Sequence, residues 1–403
     1  MPMHKGWLPR EGFTVDVVAR LIGRTALNPL FLAPLLLLAR LTKRGEDLSI
    51  LHPQAYSRTR LLFFLGVARW LNAYWSRGAE NNWVRDDTYD WVRREIVVVT
   101  GGAGGIGGHI VRLLAERGVK VVVLDIQPLS YDAREQPSPR MLTVGGYKLT
   151  HANREKAPHV HYYKCDITSP SAIAAAAALI RQDVGTPTVL INNAGVARGK
   201  TLLGASERDI RFTLDVNCLA HAWTAREFLP AMVAADHGMV VTVASWAAWL
   251  SVPEMGDYAA SKAGARSLHE CLAAELRTRY AAPRVRTVLV AQGHTRTALF
   301  AGYAEGGRFV LPSLEPETVA EAVVAQVLTG RGGQVIVPGF GNLLAGMGGW
   351  PAWMQIGLRN ACEKLMTNFA GRQVVEDLDG FYKGREGEKG GAGAEESAVL
   401  VPE

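Results

Sequence analysis

Cysteine is scarce in this chain, and its spacing excludes two classes of protein. The 403 residues include only four cysteines, and these lie far apart: Cys165, Cys218, Cys271 and Cys362. Disulfide-stabilised secreted domains and structural metal centres need paired or clustered cysteines. The sequence therefore predicts free thiols in a reducing compartment and no metal site.

Net charge is absent from most of the chain. Residues 1–94 contain 14 Lys and Arg against 8 Asp and Glu, whereas the rest contains 30 of each sign, so the overall excess of +6 lies in the first 94 residues. Nucleic-acid binding would need a basic face interleaved with aromatic side chains on a recognisable module, and none is found. Nucleic acid is therefore excluded as a partner.

The apolar runs of residues 1–94 are too short for an ordinary membrane span. Residues 25–39 carry no charge, but a span needs about 20 residues, and Pro29 and Pro34 interrupt this run. A second run covers residues 61–68, and five of the ten tryptophans precede residue 92, as in an interfacial aromatic belt. No small-residue cleavage pattern follows the first run, which argues against a signal peptide.

Basic residues alternate with apolar runs along residues 1–94, and this pattern favours attachment to an anionic membrane surface. Monotopic or re-entrant attachment is the main interpretation. Two alternatives stay open: both runs are helices packed on the rest of the protein, or one of them spans the membrane.

Glycine is abundant where it matters most, with six glycines in residues 101–108. A β-branched run, 96–100, ends in this cluster, and apolar residues at helical spacing follow it. Strand, glycine turn and helix is the arrangement in which backbone N–H groups and a helix N-terminus receive a pyrophosphate. Eighteen residues beyond Gly107, a second apolar strand ends in Asp125, where a carboxylate can accept hydrogen bonds from an adenosine ribose.

Five further motifs follow in order, and together they resemble the short-chain dehydrogenase/reductase family over about residues 95–340. These motifs are Cys165-Asp166-Ile167, Asn192-Asn193-Ala194-Gly195, Asp215-Val216-Asn217, Val243-Ala244-Ser245 and Tyr258-Ala259-Ala260-Ser261-Lys262. The resemblance implies an oxidoreductase that acts on CH–OH groups with NAD or NADP.

The alternation of apolar strands and amphipathic helices over residues 95–337 itself predicts an α/β fold, a Rossmann-type doubly wound parallel sheet. The predicted strands are 96–100, 120–125, 160–165, 188–192, 239–244, 286–291 and 334–337. Residues 1–94 are predicted to form a membrane-associating extension of this catalytic domain, 95–340.

Tyr258 and Lys262 have the i, i+4 spacing that places both on one face of a helix. A tyrosine pKa near 10 must fall by about three units, or ~4 kcal/mol, before the side chain serves as a base near neutrality. A cation one helical turn away would supply much of this shift. By resemblance, Tyr258 is the general acid/base, Lys262 also contacts the nicotinamide ribose, Ser245 binds the substrate oxygen, and Asn217 holds a water that links Lys262 to solvent.

The resemblance also implies a set of cofactor contacts. Gly101, Gly105, Ile106 and Gly107 would surround the pyrophosphate. Asp166 would meet the adenine, Asn193 would lie along the cofactor, and Thr295 and Thr297 would meet the nicotinamide, beside Tyr258 and Lys262. Gln292-Gly293 stands where the family has Pro-Gly, a departure expected to loosen this turn.

Asp125 predicts NAD rather than NADP, because its carboxylate would repel a 2′-phosphate and no Arg or Lys follows at 126–127. Arg134 or Lys148 could reverse this preference by folding over the phosphate. Both lie in or beside a polar segment, 132–156, interpreted as an insertion loop, although a mis-assigned gene segment is an alternative.

The C-terminal part is predicted to be apolar at first and disordered at its end. No charge occurs in residues 332–358, and 341–383 is interpreted as a lid, a membrane-contact segment, or both. Residues 384–403 are rich in Gly, Glu and Lys, which is typical of a disordered tail.

Within the family, the apolar N-terminal arm resembles the membrane-associated branch that acts on retinoids, hydroxysteroids and other lipids. Trp246, Trp249, Leu250, Val252 and Met255 would give the pocket an apolar wall. We therefore expect a lipophilic alcohol or carbonyl substrate, drawn from a membrane or lipid droplet. The predicted location is the endoplasmic reticulum or a lipid droplet, with the catalytic domain in the cytosol.

Two other functions stay open: an NADPH-dependent ketoreductase of secondary metabolism, and a non-catalytic dinucleotide-binding scaffold at a membrane. The resemblance also implies a homodimer built on two long helices near 211–233 and 258–280. The sequence does not show whether the N-terminal arm permits it.

Overall fold

The computed structural model describes residues 3, 4, 6, 8–131 and 159–382, with the backbone of 143–144 and 147–148. Apart from that backbone, the predicted insertion 132–156 lies outside the described residues. The same holds for the side chains of Arg134 and Lys148 and for the predicted tail 384–403.

A seven-stranded parallel sheet forms the centre of the protein, in the order β5-β2-β1-β6-β7-β8-β9. The strands are β1 Ile96–Thr100, β2 Lys120–Asp125, β3 Thr143–Val144, β4 Tyr147–Lys148, β5 Val160–Lys164, β6 Val189–Asn192, β7 Gly238–Val243, β8 Val285–Gln292 and β9 Gly333–Val337. β3 and β4 form a separate antiparallel pair. All seven predicted strands are confirmed, with ends that differ by no more than one residue.

Helices cover both faces of this sheet. The helices are α1 Val15–Arg24, α2 Pro29–Leu41, α3 Lys43–Leu51, α4 Pro53–Glu80, α5 Gly105–Ala115, α6 Pro170–Asp183, α7 Glu207–Leu214, α8 Ala220–Ala235, α9 Gly256–Thr278, α10 Pro316–Val327, α11 Gly341–Ala345 and α12 Ala352–Ala361. Helices α5 and α10 pack on one face and α6, α8 and α9 on the other.

Strand β1 shows why the sequence builds a doubly wound sheet. Val97 and Val99 belong to the apolar cluster under α5 and α10, whereas Ile96 and Val98 belong to the cluster on the opposite face. A strand that is buried on both faces reads as a continuous β-branched run rather than an alternating one. The strand order reverses between β1 and β6, and ligands of such sheets bind at the carboxyl ends beside that point.

Helices α1–α4 form an N-terminal arm whose apolar side chains are largely exposed. Leu30, Phe31 and Leu41 are 72%, 67% and 78% exposed, and Leu37 and Leu38 are exposed as well. These side chains therefore do not pack on the catalytic body, which counts against that alternative. Among the described residues no single helix is long and apolar enough to cross a membrane, although α1 and α2 qualify as a pair bent by 42°.

The arm begins beside the carboxyl end of the sheet. The Asp16 carboxylate accepts hydrogen bonds from the backbone N–H groups of Gly339 and Phe340, at 2.5 and 3.0 Å. Val15 N donates to Phe309 O at 2.9 Å. These contacts join α1 to the loops that follow β8 and β9.

A buried charge cluster joins the segment after the arm to the sheet. His237 Nδ1 lies 3.0 Å from Asp86 Oδ2, and His237 Nε2 lies 3.2 Å from Glu95 Oε2. All three side chains are almost fully buried. Thr88 and Thr188 donate hydrogen bonds to the two carboxylates, at 2.6 and 2.5 Å. The cluster is therefore well satisfied, as buried charges must be.

Candidate active site

A cavity of about 550 Å³ lies at the carboxyl ends of the central strands. It brings together nearly all of the residues that the sequence singles out. The predicted site residues that line it are Gly101, Gly105, Ile106, Gly107, Asp125, Asp166, Asn193, Ser245, Tyr258, Lys262, Thr295 and Thr297. Asn217 is the one predicted site residue that is fully buried behind the wall.

The turn between β1 and α5 forms a cradle that only glycine permits. Gly101 has a positive φ of 65°, and a Cβ there would lie 2.7 Å from Ala194 Cα. A Cβ on Gly107 would lie 2.2 Å from Gly101 O and 2.4 Å from Asn193 Nδ2. That Asn193 amide donates to the carbonyls of Thr100 and Gly101, both at 3.0 Å. The cradle and the N-terminus of α5 fit a pyrophosphate.

Two carboxylates mark the other end of the cavity. The Asp125 carboxylate accepts hydrogen bonds from Ala103 N and Gln127 N, both at 2.9 Å. It therefore holds the glycine turn as well as facing the cavity. Asp166 Oδ1 accepts from Thr168 N and Thr168 Oγ1, at 2.9 and 2.7 Å. Both positions suit the adenosine half of a dinucleotide.

Tyr258 and Lys262 lie near the start of α9, buried in the cavity wall. Lys262 Nζ is 5.8 Å from the centroid of the Tyr258 ring and donates a hydrogen bond to Val243 O at 2.9 Å. The Phe300 ring meets the Tyr258 ring edge-on, with 5.4 Å between centroids. The i, i+4 spacing therefore brings both groups to one helix face.

Burial controls the protonation of this pair. Burial raises the pKa of Tyr258 to about 12, and a hydrogen bond with the Ser245 hydroxyl offsets only part of the rise. Burial also lowers the pKa of Lys262 to about 8. The expected lowering of the tyrosine pKa by Lys262 is not found, because removal from water disfavours the charged form of both groups. The chain therefore presents Tyr258 as a neutral hydroxyl near pH 7.

Ser245 caps the short 3₁₀-helix Trp246–Ala248 at the end of β7. Its Oγ accepts a hydrogen bond from Ala247 N at 3.2 Å and lies 3.4 Å from Gln292 O. Since the same hydroxyl also contacts Tyr258, the two hydroxyls can share one substrate oxygen.

Asn217 lies in a π-helical turn, Asp215–Leu219, and supports the site from behind. Its Oδ1 accepts from Val196 N and its Nδ2 donates to Val196 O, both at 2.8 Å. Nδ2 also lies 3.0 Å from Ser261 Oγ. The amide thus holds the turn after β6, and the water-holding role of Asn217 stays a prediction.

The departure at Gln292 does not loosen the turn after β8. Gln292 pairs with Val337 in the β8–β9 ladder, and Gly293 N donates to Val337 O at 2.8 Å. Thr297 N donates to Thr295 O at 2.8 Å, which closes a tight turn beside the cavity. The β8–β9 ladder therefore holds this turn in spite of the departure at Gln292.

The sequence profile of the short chain dehydrogenases matches residues 95–306. The chain belongs to the short-chain dehydrogenase family. Its catalytic body is an oxidoreductase of CH–OH groups that uses a nicotinamide dinucleotide and acts on small molecules, as this family membership shows.

Known relatives of this short-chain dehydrogenase include fungal and animal enzymes. It is 44% identical over 220 residues to Dehydrogenase RED2 of Cochliobolus heterostrophus, covering 55% of this chain and 75% of that protein. It is 32% identical over 237 residues to human Epidermal retinol dehydrogenase 2, covering 59% and 72%. The chain thus resembles the retinol dehydrogenase branch.

Among solved structures, a short chain dehydrogenase from Burkholderia cenocepacia J2315 in complex with NADP is similar, with a TM-score of 0.52 and 25% identity. The match covers 67% of this chain and 98% of that one.

Sequence reasoning missed part of this dehydrogenase's cavity wall. Residues after β8 and in the C-terminal segment complete it: His294, Phe300, Tyr303, Cys362, Leu365, Arg372, Val374 and Phe381. The aromatic residues that closely follow Thr297 were a usable signal. The C-terminal residues lie within 341–383, the segment interpreted from the sequence as a lid or membrane contact, but they carry no motif, so the fold is needed to show which of them reach the cavity.

Proposed function

We propose that this short-chain dehydrogenase transfers a hydride between a nicotinamide dinucleotide and a lipophilic alcohol or carbonyl, such as a retinoid, a steroid or another lipid. The observation that carries this proposal is the apolar wall next to the Tyr258 hydroxyl. The side chains of this wall that line the cavity include Trp246, Leu250, Val252, Met255, Phe300 and Tyr303; Trp249, which the sequence also places there, does not line it. Such a wall binds apolar substrate by removing its surface from water.

In this proposal, Tyr258 moves the proton and Ser245 orients the oxygen. The bound cofactor supplies or accepts the hydride. In reduction, the neutral Tyr258 hydroxyl donates a proton to the developing alkoxide while the Ser245 hydroxyl hydrogen-bonds the same oxygen. In oxidation, Tyr258 takes that proton. Lys262, held by Val243 O, places a positive charge beside both groups and favours the ionised tyrosine as it forms.

The arm is proposed to attach the enzyme to an anionic membrane or lipid-droplet surface, with the catalytic body in the cytosol. Its support is the exposed apolar surface of α2 and α4 together with the excess of +6 in residues 1–94. Trp353 and Ile356 in α12 are 74% and 57% exposed, which supports membrane contact for the C-terminal segment. Since the same segment lines the cavity, it also serves as a lid.

Replacing both Leu37 and Leu38 with glutamate is expected to impair substrate delivery but not chemistry. The two side chains are 58% and 56% exposed on α2, and losing their burial in lipid should lower affinity for anionic vesicles by at least about 10-fold. Turnover of a long-chain secondary alcohol embedded in the vesicles should fall accordingly. Turnover of a short, water-soluble analogue should be unchanged.

The matched control is Leu179→Glu, an exposed leucine of α6 on the catalytic body. This variant should bind anionic vesicles as the wild-type chain does, measured by co-flotation of protein and vesicles. Wild-type vesicle binding by the double variant, or an equal loss with both substrates, would refute membrane delivery.

NAD is the cofactor that Asp125 favours, and we extend the proposal to this choice. Replacing Asp125 with serine removes a negative charge, so the ratio of the NADPH to the NADH dissociation constant should fall by about 10-fold. Serine also loses acceptors for Ala103 N and Gln127 N. This loss weakens the binding of both nucleotides. The ratio of their dissociation constants, measured by quenching of protein fluorescence, is therefore the informative quantity.

Asp166→Asn is the control for that variant. Asp166 also lines the adenosine half, where NADH and NADPH share the adenine, so both affinities should change alike. An unchanged ratio in the Asp125 variant would show that this carboxylate does not select the cofactor.

The same site residues would serve an NADPH-dependent ketoreductase, which differs in cofactor and working direction. The ratio of the NADPH to the NADH dissociation constant of the wild-type chain distinguishes this ketoreductase from an NAD-preferring dehydrogenase. Family membership leaves little support for a non-catalytic scaffold. A homodimer through α8 and α9 stays a prediction, and the sedimentation of the detergent-solubilised chain would test it.

A further inference from the structure

A strap from the C-terminal segment, residues 368–376, crosses the mouth of the cavity. On one side, Ala370 N donates to Ala301 O at 2.8 Å and Arg372 N donates to Ala298 O at 2.7 Å. On the other, the Gln373 amide donates to Ala197 O at 3.1 Å. The strap therefore connects the loops after β8 and β6 over the dinucleotide cleft.

The side chain of Arg372 points from this strap to the adenosine end. Its guanidinium donates a hydrogen bond to Gln127 Oε1 at 3.1 Å. Gln127 N in turn donates to Asp125 Oδ1 at 2.9 Å. Arg372 therefore contacts Gln127, two residues beyond Asp125, whose carboxylate lies at the adenosine end of the cavity.

The charge of Arg372 is not balanced by a carboxylate in the part of the chain that the structure describes. Arg198, which also contacts the strap through Gln373, is in contrast paired with Asp209 at 2.8 Å. Arg372 is exposed to solvent yet lines the cavity, and its guanidinium donates to one neutral acceptor, Gln127. Most of its five N–H donors remain available to an anion.

A guanidinium in this position suits a phosphate monoester, because its planar donors match two phosphate oxygens at once. We propose that Arg372 binds the ribose 2′-phosphate of NADP and lets this dehydrogenase accept NADP alongside NAD, in spite of Asp125. The cation comes from a strap 245 positions beyond Gln127, so the residues that directly follow Asp125 indicate only NAD. This inference rests on the proposed function, since it needs a dinucleotide in the cleft.

Binding of NADPH and NADH to the detergent-solubilised full chain tests it, with protein fluorescence as the readout. The wild-type chain should bind both. Arg372→Ala should lower the affinity for NADPH by about 10-fold or more, because it removes hydrogen bonds from a charged donor. The affinity for NADH should be nearly unchanged. Arg372→Lys should retain part of the NADPH affinity. Arg331→Ala removes an exposed arginine next to β9, at the opposite end of the sheet, and should change neither nucleotide.

Three results would overturn the inference. If Arg372→Ala weakened the binding of NADH and NADPH equally, Arg372 would contact the phosphates that they share. If binding of both were unchanged, Arg372 would contact neither nucleotide. A wild-type chain that binds NADH but not NADPH would also contradict it. If the wild-type chain binds neither nucleotide, the proposed function fails together with the inference.

Discussion

Tyr258→Phe is expected to lower kcat by about 10²–10⁴-fold with little change in cofactor affinity. Phenylalanine keeps the ring and its edge-on contact with Phe300, 5.4 Å away. The variant therefore removes only the hydroxyl, which is the one proton donor and acceptor that the proposed mechanism places on the substrate oxygen. Steady-state kinetics and nucleotide binding on the same preparation separate the two quantities.

Tyr303→Phe is the matched control for this prediction. Tyr303 is a second tyrosine of the same cavity, half-buried, and its ring stacks on His294 with 4.0 Å between centroids. Removing its hydroxyl should leave kcat close to that of the wild-type chain. Wild-type turnover by the Tyr258 variant with any accepted substrate would refute the assigned role.

The pKa of Tyr258 also predicts different pH dependences for the two directions of the reaction. Because the pKa is about 12, the hydroxyl stays protonated through neutral pH and carbonyl reduction should not be limited by its ionisation. Alcohol oxidation needs the tyrosine as a base, so its rate should rise as pH increases above neutrality.

His237→Ala is expected to lower the free energy of unfolding by about 3–5 kcal/mol. The imidazole lies between the carboxylates of Asp86 and Glu95, at 3.0 and 3.2 Å. Its removal leaves two buried carboxylates without a cationic partner and releases the segment that ties the arm to the sheet. Urea denaturation of the solubilised chain measures the loss.

The pH dependence of stability provides a second readout for this cluster. Burial lowers the pKa of His237, but hydrogen bonding and charge from Glu95 and Asp86 outweigh it, so the pKa is raised. Burial raises the pKa of Asp86, but hydrogen bonds from Thr88 and His237 outweigh it, so that pKa is lowered. The histidine contribution is lost as pH rises through its folded pKa, and the aspartate contribution is lost as pH falls through its own.

The cluster should therefore stabilise the wild-type chain most between about pH 4 and 6.5, the ordinary pKa values of the two groups. His237→Ala should flatten that profile. His161→Ala, which alters a half-buried histidine of β5, is the control and should have a small effect. A loss below about 1 kcal/mol in the His237 variant would show that the cluster is not a major source of stability.

Local pattern was sufficient to predict the sheet and most of the cavity. The β-branched run 96–100 predicts a strand buried on both faces, since such strands need β-branched residues. The glycines after it predict a phosphate-binding turn, since such a turn needs glycine. Asp125, Ser245 and Tyr258 each stand at a strand end or helix start, so their convergence follows from the fold.

Long-range features could not be predicted in this way. The hydrogen bond between Arg372 and Gln127 joins residues 245 positions apart, and the ion pairs of His237 depend on how the segment after the arm returns to the sheet. The pKa of Tyr258 was wrongly expected to fall, because sequence spacing reveals the neighbouring lysine but not the burial that outweighs it.

The central claim is that this cavity transfers a hydride to a lipophilic carbonyl. The most direct measurement is a single turnover of the full chain with reduced nicotinamide dinucleotide, deuterated at the transferred hydride position, and a long-chain ketone, followed by mass spectrometry of the product. The account predicts one deuterium on the carbinol carbon with the wild-type chain, and very little product with Tyr258→Phe. Alcohol product without deuterium, or equal labelled product from the Tyr258 variant, would contradict it.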